Sequence, residues 1–170
     1  MLLISEMLVA ELEREAPPSR MILEAVPEEH LDWRPHAKSM TLGRLAGHIA
    51  ELPAWAGSMV HRDFDVAAKG AYEPFAATNR ATLLDAFDRG LATFSSEVGG
   101  QDDGVMKAMW TMRYGDKVLF SAPRHEAIRT LAINHAIHHR GQLSVYLRLL
   151  DVPVPSVYGP TADTPDFMGE

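Results

Sequence analysis

Two histidines at helical spacing carry the clearest chemical signal in this sequence. His135 and His139 lie in the segment NHAIHHRGQ, residues 134–142. A helix turns ~100° per residue, so positions i and i+4 lie on one face and both imidazoles would point the same way. Such a pair can ligate one metal ion, but it is also common where the rings bond only to water or to carboxylates. The spacing alone leaves both interpretations open.

A third ligand for such an ion would have to come from another part of the chain. His48 is the best candidate, because it lies at the edge of the apolar stripe of a second predicted helix. His138 could pair with His135 at i, i+3, but it projects ~80° from the inner stripe of its helix, which favours a place on the surface or behind the ligands. The other histidines lie near loops or predicted helix ends, where solvation is expected: His30, His36, His61 and His125.

Three neutral imidazoles would leave a divalent ion with its full charge and an open coordination position. That arrangement is typical of catalytic sites, because structural zinc sites usually close all four positions. The ion could lower the pKa of water to ~7 or hold a thiol as thiolate. The chain contains no cysteine, so a small molecule would have to supply the sulfur. Nitrogen ligands suit zinc, nickel, copper and iron alike.

Four segments with helical periodicity are predicted to position these side chains. They cover residues 3–26, 41–61, 78–98 and 123–150. Pro17 and Pro18 predict a kink or a break in the first helix. Ser39 or Thr41 is expected to cap the N-terminus of the second.

The last helix is predicted to face the interior with a single stripe. At helical spacing this stripe comprises Ile128, Leu131, Ala132, His135, His139, Gln142, Tyr146 and Leu149. Glu126, Arg129, Arg140 and Arg148 fall away from it. Gln142 could orient a ligand ring or bond only to the backbone, and both roles remain open.

The order of the elements predicts an all-α fold with one small insertion. Residues 106–121 carry aromatic and β-forming side chains around a Gly115-Asp116 turn, which predicts a β-hairpin or an extended insertion before the last helix. Four long helices predict a four-helix bundle, built as one domain over residues 1–170. The connections are long enough for one or more crossovers. The proline-rich tail from Pro153 onward is expected to lie extended across the surface.

Composition argues against several classes of partner. The net charge is −7 and no run of lysine and arginine stands out, so nucleic acid would be repelled. No stretch approaches the ~20 apolar residues that a membrane span needs. The N-terminal segment carries acidic residues from Glu6 onward and lacks the features of a signal peptide. The sequence therefore predicts a cytoplasmic protein that acts on a small molecule, with neither nucleic acid nor membrane as a partner.

Four separated pieces of the chain resemble the DinB-like (YfiT-like) family of bacterial metal-dependent proteins. They are WRP at 33–35, SMTLG at 39–43 with Leu45 and His48, HAIHHRGQL at 135–143 with YLR at 146–148, and PSVYGPTAD at 155–163. They span nearly the whole chain in the expected order, and the H-x-x-x-H-R-G-Q segment is the most specific. Thr164 is a small departure from the acidic residue expected there.

The resemblance implies a four-helix bundle with a crossover connection. It also implies a divalent metal held by one histidine of the second helix and two of the last, at the positions of His48, His135 and His139. Family members bind nickel, zinc or similar ions and are frequently homodimers. Some are S-transferases or isomerases that use the thiols bacillithiol or mycothiol, so a low-molecular-weight thiol is an expected cofactor.

Three functions are compatible with such a site. The first, which we favour, is a transferase in which a small-molecule thiol attacks an electrophile, with Arg44, Arg113 and Arg140 as candidates for binding the carboxylates of the thiol. The second is a hydrolase that activates water, for which Glu51 is the nearest acidic residue, although a solvated carboxylate is its commoner role. The third is a non-enzymatic metal-binding protein of the stress response. Only the two enzymes need an accessible cavity beside the metal.

Overall fold

The computed structural model describes residues 2–75 and 77–164. Its elements in chain order are α1 (Ile4–Glu24), a 3-10 turn (Glu28–His30), α2 (Leu42–Ser58), β1 (Phe64–Asp65), α3 (Arg80–Val98), α4 (Asp103–Lys107), β2 (Met109–Tyr114), β3 (Lys117–Pro123), α5 (Arg124–Ile128), a π-helical segment (Arg129–Ile133) and α6 (Asn134–Leu149). The last three segments follow one another without a gap and together form the last helix.

The four long helices form a bundle with crossing connections. The second helix, α2, packs against α3 and α6, and α1 packs against the same two helices. Helices α1 and α2 are consecutive in the chain but therefore occupy opposite corners of the bundle. The connection 25–41 must cross from one corner to the other. The predicted four-helix bundle with a crossover is confirmed.

A local signal sets the N-terminus of α2, and of the kink or break predicted for α1 the break is absent. Thr41 caps α2, since its hydroxyl oxygen accepts a hydrogen bond from the backbone N–H of Arg44 at 3.2 Å. Helix α1 continues through Pro17 and Pro18. These prolines remove the helical hydrogen bonds to the carbonyls four residues earlier. Those carbonyls belong to exposed residues, 13 and 14, so water can satisfy them and the helix need not break.

The predicted hairpin is present and carries an additional strand. Strands β2 and β3 pair antiparallel around the turn at Gly115, whose φ of 56° suits glycine. Strand β1 adds to β2 in parallel, with Phe64 opposite Met112. Two residues are too short for an alternating pattern, so the sequence did not reveal β1. This small sheet packs against α5, and its Phe64 and Trp110 contact Trp55 of α2.

The last helix is buried on two faces, which corrects the single predicted stripe. Arg140 was placed away from the interior, but its side chain is only 2% exposed and faces α1, where it pairs with Glu15. Leu149 was placed inside and is 57% exposed, while Leu143 and Leu147 are fully buried. A bundle helix packs against two neighbours, so a wheel with one buried face misplaces the residues that meet the second neighbour.

The histidines of the last helix lie between two apolar clusters. Its earlier part, through Ile128 and Ile133, joins a cluster around Trp110 and Phe94. Its later part, through Leu143 and Leu147, joins a cluster around residues 42–50 and 83–87. His135 and His139 occupy the stretch between these parts. Imidazoles in such surroundings need hydrogen-bond partners or a metal.

Hydrogen bonds fix the position of the chain after the last helix. Val154 is buried, and the hydroxyl of Thr161 donates to its carbonyl oxygen at 2.7 Å. Asp163 accepts hydrogen bonds from Arg148 and from the backbone N–H of Val154. The predicted surface tail is therefore anchored through residue 164, and its final part, 165–170, lies outside the described residues. The described helices include none long and apolar enough to cross a membrane.

Two helical glycines should respond oppositely to alanine. A Cβ on Gly47 would lie 2.8 Å from the carbonyl oxygen of Phe75, whereas a Cβ on Gly141 would meet nothing within 4 Å. We expect Gly47→Ala to lower the free energy of unfolding by about 1–3 kcal/mol through overpacking. Gly141→Ala should raise it by about 0.5–1 kcal/mol through helix propensity. Urea unfolding measures both, and a Gly47→Ala variant as stable as the parent would contradict the close approach.

Candidate metal centre

Three histidines from two helices converge in the middle of the bundle. His48 comes from α2, and His135 and His139 come from α6. One ring nitrogen from each lies within 4.8 Å of the other two. His139 is buried, while His48 and His135 are partly buried. The structure thus brings together the three residues predicted from sequence as ligands, and it leaves His138 exposed.

Each of these rings uses Nδ1 for a hydrogen bond within the protein. His48 Nδ1 lies 2.6 Å from a carboxylate oxygen of Glu51, and His135 Nδ1 lies 3.1 Å from the carbonyl oxygen of Leu131. His139 Nδ1 lies 2.7 Å from Oε1 of Gln142. Carboxylate and carbonyl oxygens only accept, so these contacts assign the proton to Nδ1. The Nε2 atoms are left as lone-pair donors, which is the tautomer that a metal requires.

A positive charge would stabilise the contact between the two histidines of α6. Nε2 of His135 and Nε2 of His139 are 2.7 Å apart. With both protons on Nδ1, two lone pairs face each other, and a cation shared by the rings would satisfy both. Ligands bound tetrahedrally at ~2.0–2.1 Å from zinc lie ~3.3 Å from one another. Small shifts of these rings would therefore accommodate an ion.

The donor set fits a transition metal with a coordination position to spare. Three imidazoles are typical of zinc and of similar ions. Across residues 2–75 and 77–164, no carboxylate joins the group, and the whole chain lacks cysteine. Three neutral ligands do not cancel a double charge. The group is therefore suited to a site that takes a further, exogenous ligand.

Glu51 lies within the site, which corrects its predicted role as a solvated carboxylate. Its side chain is only 14% exposed. It accepts hydrogen bonds from His48, from Arg44 at 2.9 Å, from the hydroxyl of Tyr72, and from the backbone N–H of Phe75 at 2.8 Å. The i, i+3 spacing from His48 on α2 was the available signal for this contact. Tyr72, in the loop before α3, could not be found from sequence.

These donors keep Glu51 ionised. Burial by itself raises the pKa of Glu51, but the hydrogen bonds from His48, Tyr72 and Phe75 and the charge of Arg44 outweigh it and lower the pKa below its ordinary value. Burial and the adjacent carboxylate raise the pKa of Tyr72 to about 12. Glu51 is therefore an acceptor that fixes the ring of His48, as carboxylates behind metal-bound histidines do.

Of the other residues predicted around the metal, two are confirmed as neighbours of the site and two are not. Gln142 bonds to Nδ1 of His139, so it orients the ring of a candidate ligand. Arg44 bonds to Glu51 beside His48. Arg113 is exposed on β2 and pairs with Asp63. Arg140 faces α1, away from the site. Position along the chain did not distinguish these arginines, because their distances from the site depend on tertiary packing.

A cavity opens directly beside the histidines. Its volume is about 340 Å³, at the small end of the range for small-molecule sites, ~300–1,000 Å³. His48, Glu51 and His135 contribute to its wall, together with Arg44 and Tyr72. A small molecule in this cavity would lie next to two of the three candidate ligands.

The metal-free protein should lose stability as the pH falls below 6.5. Burial lowers the pKa of His135, and burial and the neighbouring histidines lower that of His139 from 6.5 to about 4. The unfolded chain gains a proton below pH ~6.5, but folded His139 gains it only near 4, so the folded state loses up to about 3 kcal/mol across this window. Urea unfolding of chelator-treated protein between pH 7 and 4.5 measures the loss. His139→Gln should flatten the pH dependence and His138→Gln should not; equal slopes in all three proteins would contradict the assignment.

Fold and site together define the class of protein: a helical bundle with a candidate tri-histidine metal centre beside a small-molecule cavity. The sequence model of the DinB family matches residues 4–166, and the chain belongs to that family. The uncharacterized protein YrdA of Bacillus subtilis (strain 168) is 24% identical over 154 residues, which cover 89% of this chain and 86% of YrdA.

Two solved structures share the fold. A DinB-like protein of Bacillus cereus ATCC 10987 superposes with a TM-score of 0.67 at 22% identity, covering 89% of this chain and 95% of that one. The DinB-like protein YjoA of Bacillus subtilis superposes with a TM-score of 0.65 at 17% identity, covering 89% and 97%. The resemblance predicted from sequence is confirmed.

Proposed function

We propose that this protein binds zinc or nickel through His48, His135 and His139 and transfers a small-molecule thiol to an electrophile. The observation that carries the proposal is the open side of the histidine group, where a cavity of about 340 Å³ adjoins two of the three rings. A divalent ion in the group would supply a positive charge that lowers the pKa of a thiol at its free coordination position. Because the chain has no cysteine, the thiol is a separate molecule.

The side chains of this protein orient the site and bind the polar part of the thiol. Glu51, Leu131 and Gln142 hold the Nδ1 protons of the three histidines and so direct each Nε2 inward. Arg44 lines the same cavity as His48 and His135, with its Nη2 bonded to Glu51 at 2.9 Å. The positive charge of this guanidinium would attract a carboxylate of the thiol.

The proposed transfer balances without a redox partner. The thiol proton leaves to solvent, and the sulfur lone pair forms the new carbon–sulfur bond. The leaving group of the electrophile departs with the electron pair of the bond that breaks. A cytoplasmic location belongs to the same proposal, and so does a homodimer, which the resemblance to the DinB family implies and which light scattering of the purified protein tests.

The cavity and Glu51 favour this function over the alternatives. A hydrolase would need a general base free to accept a proton. Glu51 has its pKa lowered and already accepts from four donors, so it is a poor base. A protein that only stored or sensed a metal would need no cavity at the open side. An esterase or amidase activity that Glu51→Gln abolishes would favour the hydrolase instead.

The test is a transfer assay with metal-loaded protein. Bacillithiol, mycothiol, glutathione and coenzyme A are each mixed with 1-chloro-2,4-dinitrobenzene, and formation of the thioether is followed by absorbance. We expect at least one thiol to react faster with the zinc- or nickel-loaded protein than with the chelated protein or the His135→Ala, His139→Ala variant. The His138→Ala variant serves as the matched control and should react like the parent. Background rates with every thiol and both metals would overturn the proposal.

A further inference from the structure

The cavity beside the histidines has one polar end and one apolar end. Along α2, the wall runs from Arg44, His48 and Glu51 to Leu52 and Trp55. Each residue advances a helix by ~1.5 Å, so Arg44 and Trp55 lie ~16 Å apart along the axis. His48 lies between them. The wall that a ligand in the cavity meets therefore changes along α2 from Arg44, His48 and Glu51 to the apolar Leu52 and Trp55.

The apolar end is assembled from four separate parts of the chain. Its members come from α2, from β1 and the residue after it, from β2, and from the π-helical segment: Leu52, Trp55, Phe64, Val66, Met112 and Leu131. All except Leu52 are partly exposed. Apolar side chains grouped around one opening mark a surface for an apolar ligand.

Packing behind this end holds its shape. The ring of Trp55 contacts those of Phe64 and Trp110 edge to face, with centroids 5.8 and 6.2 Å away. Trp110 is fully buried, and its indole N–H donates to the carbonyl oxygen of Arg62 at 2.8 Å. Aromatic pairs of this geometry stabilise their arrangement beyond simple burial. The apolar wall is therefore formed before a ligand arrives, which reduces the entropic cost of binding.

We infer that the apolar end binds an uncharged, ring-sized apolar group, and that this group belongs to the electrophile. The volume of about 340 Å³ for the whole cavity limits the ligand to a small molecule. The apolar end, which includes Leu131, adjoins His135 and would place such a group beside the metal, opposite the thiol's polar part at Arg44. The assignment of the ligand as electrophile rests on the proposed function, but its binding requires neither metal nor thiol.

The test is a binding measurement on the metal-free full-length protein. The probe is 2,4-dinitrotoluene, an uncharged aromatic compound without a leaving group, followed by quenching of tryptophan fluorescence and by calorimetry. Met112→Glu introduces a carboxylate at the apolar end. Met109→Glu is the matched control, since Met109 lies on the same strand, three positions away and thus on its other face, and is 57% exposed.

We expect saturable binding to the parent, about ten-fold weaker binding to Met112→Glu because an unpaired carboxylate would be desolvated, and unchanged binding to Met109→Glu. Leu131→Ala, which removes apolar wall without adding charge, should weaken binding less than Met112→Glu. Absence of saturable binding to the parent, or equal binding to the two glutamate variants when circular dichroism shows both folded, would overturn the inference.

Different results would contradict the apolar site and the transfer function. If dinitrotoluene binds and Met112→Glu weakens it while every thiol gives background rates, the apolar site stands and the transfer function falls. If transfer proceeds but its KM for chlorodinitrobenzene is the same in the parent and in Met112→Glu, the apolar site falls and the transfer function stands.

Discussion

Replacing His135 and His139 by alanine should abolish metal binding by a protein that otherwise holds about one equivalent of a divalent transition metal. The two rings supply two of the three nitrogen donors, and one remaining imidazole cannot retain the ion against dialysis. Elemental analysis after loading with zinc or nickel and exhaustive dialysis measures the loss. The metal should also raise the melting temperature of the parent and not that of the double variant, because an ion that binds only the folded state stabilises it.

His138 is a well-matched control for this experiment. It neighbours His139 on the same helix, with ring centroids 5.0 Å apart, yet its side chain is exposed. His138→Ala should keep the full metal content. A parent protein that stays metal-free after incubation with both zinc and nickel would contradict the centre, and so would a double variant that retains the metal.

Replacing Arg140 by alanine should lower the free energy of unfolding by about 3 kcal/mol and the melting temperature by about 6–12 °C. The guanidinium is 2% exposed, and it donates to the hydroxyl of Ser19 at 3.0 Å and to the carboxylate of Glu15 at 2.8 Å. It also lies 4.7 Å from the ring of Tyr158 in the C-terminal tail. Truncation would leave the largely buried carboxylate of Glu15 without its cationic partner. It would also remove a side chain that contacts both α1 and the tail.

Arg148 provides the comparison for Arg140. It lies two turns later on α6 and pairs with Asp163, but its side chain is 48% exposed. Exposed ion pairs contribute little to stability, so Arg148→Ala should lower the melting temperature much less than Arg140→Ala. Thermal unfolding followed by circular dichroism ranks the two variants. Equal melting temperatures would show that Arg140 contributes no more than a surface ion pair.

Much of the fold follows from local patterns. Apolar residues at helical spacing predicted the four long helices, and the candidate caps Ser39 and Thr41 predicted the region where α2 begins; the structure uses Thr41. Aromatic and β-forming residues around Gly115-Asp116 predicted the hairpin, and in the structure Gly115 has a positive φ, which suits glycine. Strand β1 escaped detection because two residues carry no alternation. The continuity of α1 through its prolines depended on which carbonyls face water, which the pattern alone does not show.

The candidate metal centre was likewise predicted from local patterns only in part. Helix geometry brings His135 and His139 to one face wherever their helix lies, so the sequence by itself determined that these two rings lie side by side. Three features arise only when segments far apart in the chain pack together. They are the position of His48 beside these rings, the hydrogen bond from Tyr72 to Glu51, and the apolar wall from β1 and β2.

Arg140 shows most clearly what a helical wheel does not predict. A helical wheel distinguishes one side of a helix from the other, but it does not say how many neighbours the helix has. The last helix meets α2 with its histidines and α1 with Arg140, so it has two interior faces. The direction of a side chain around its helix is a local property and was determined by the sequence. The partner that it meets is a non-local property, because it depends on where the other helices lie, and only the tertiary structure decided it.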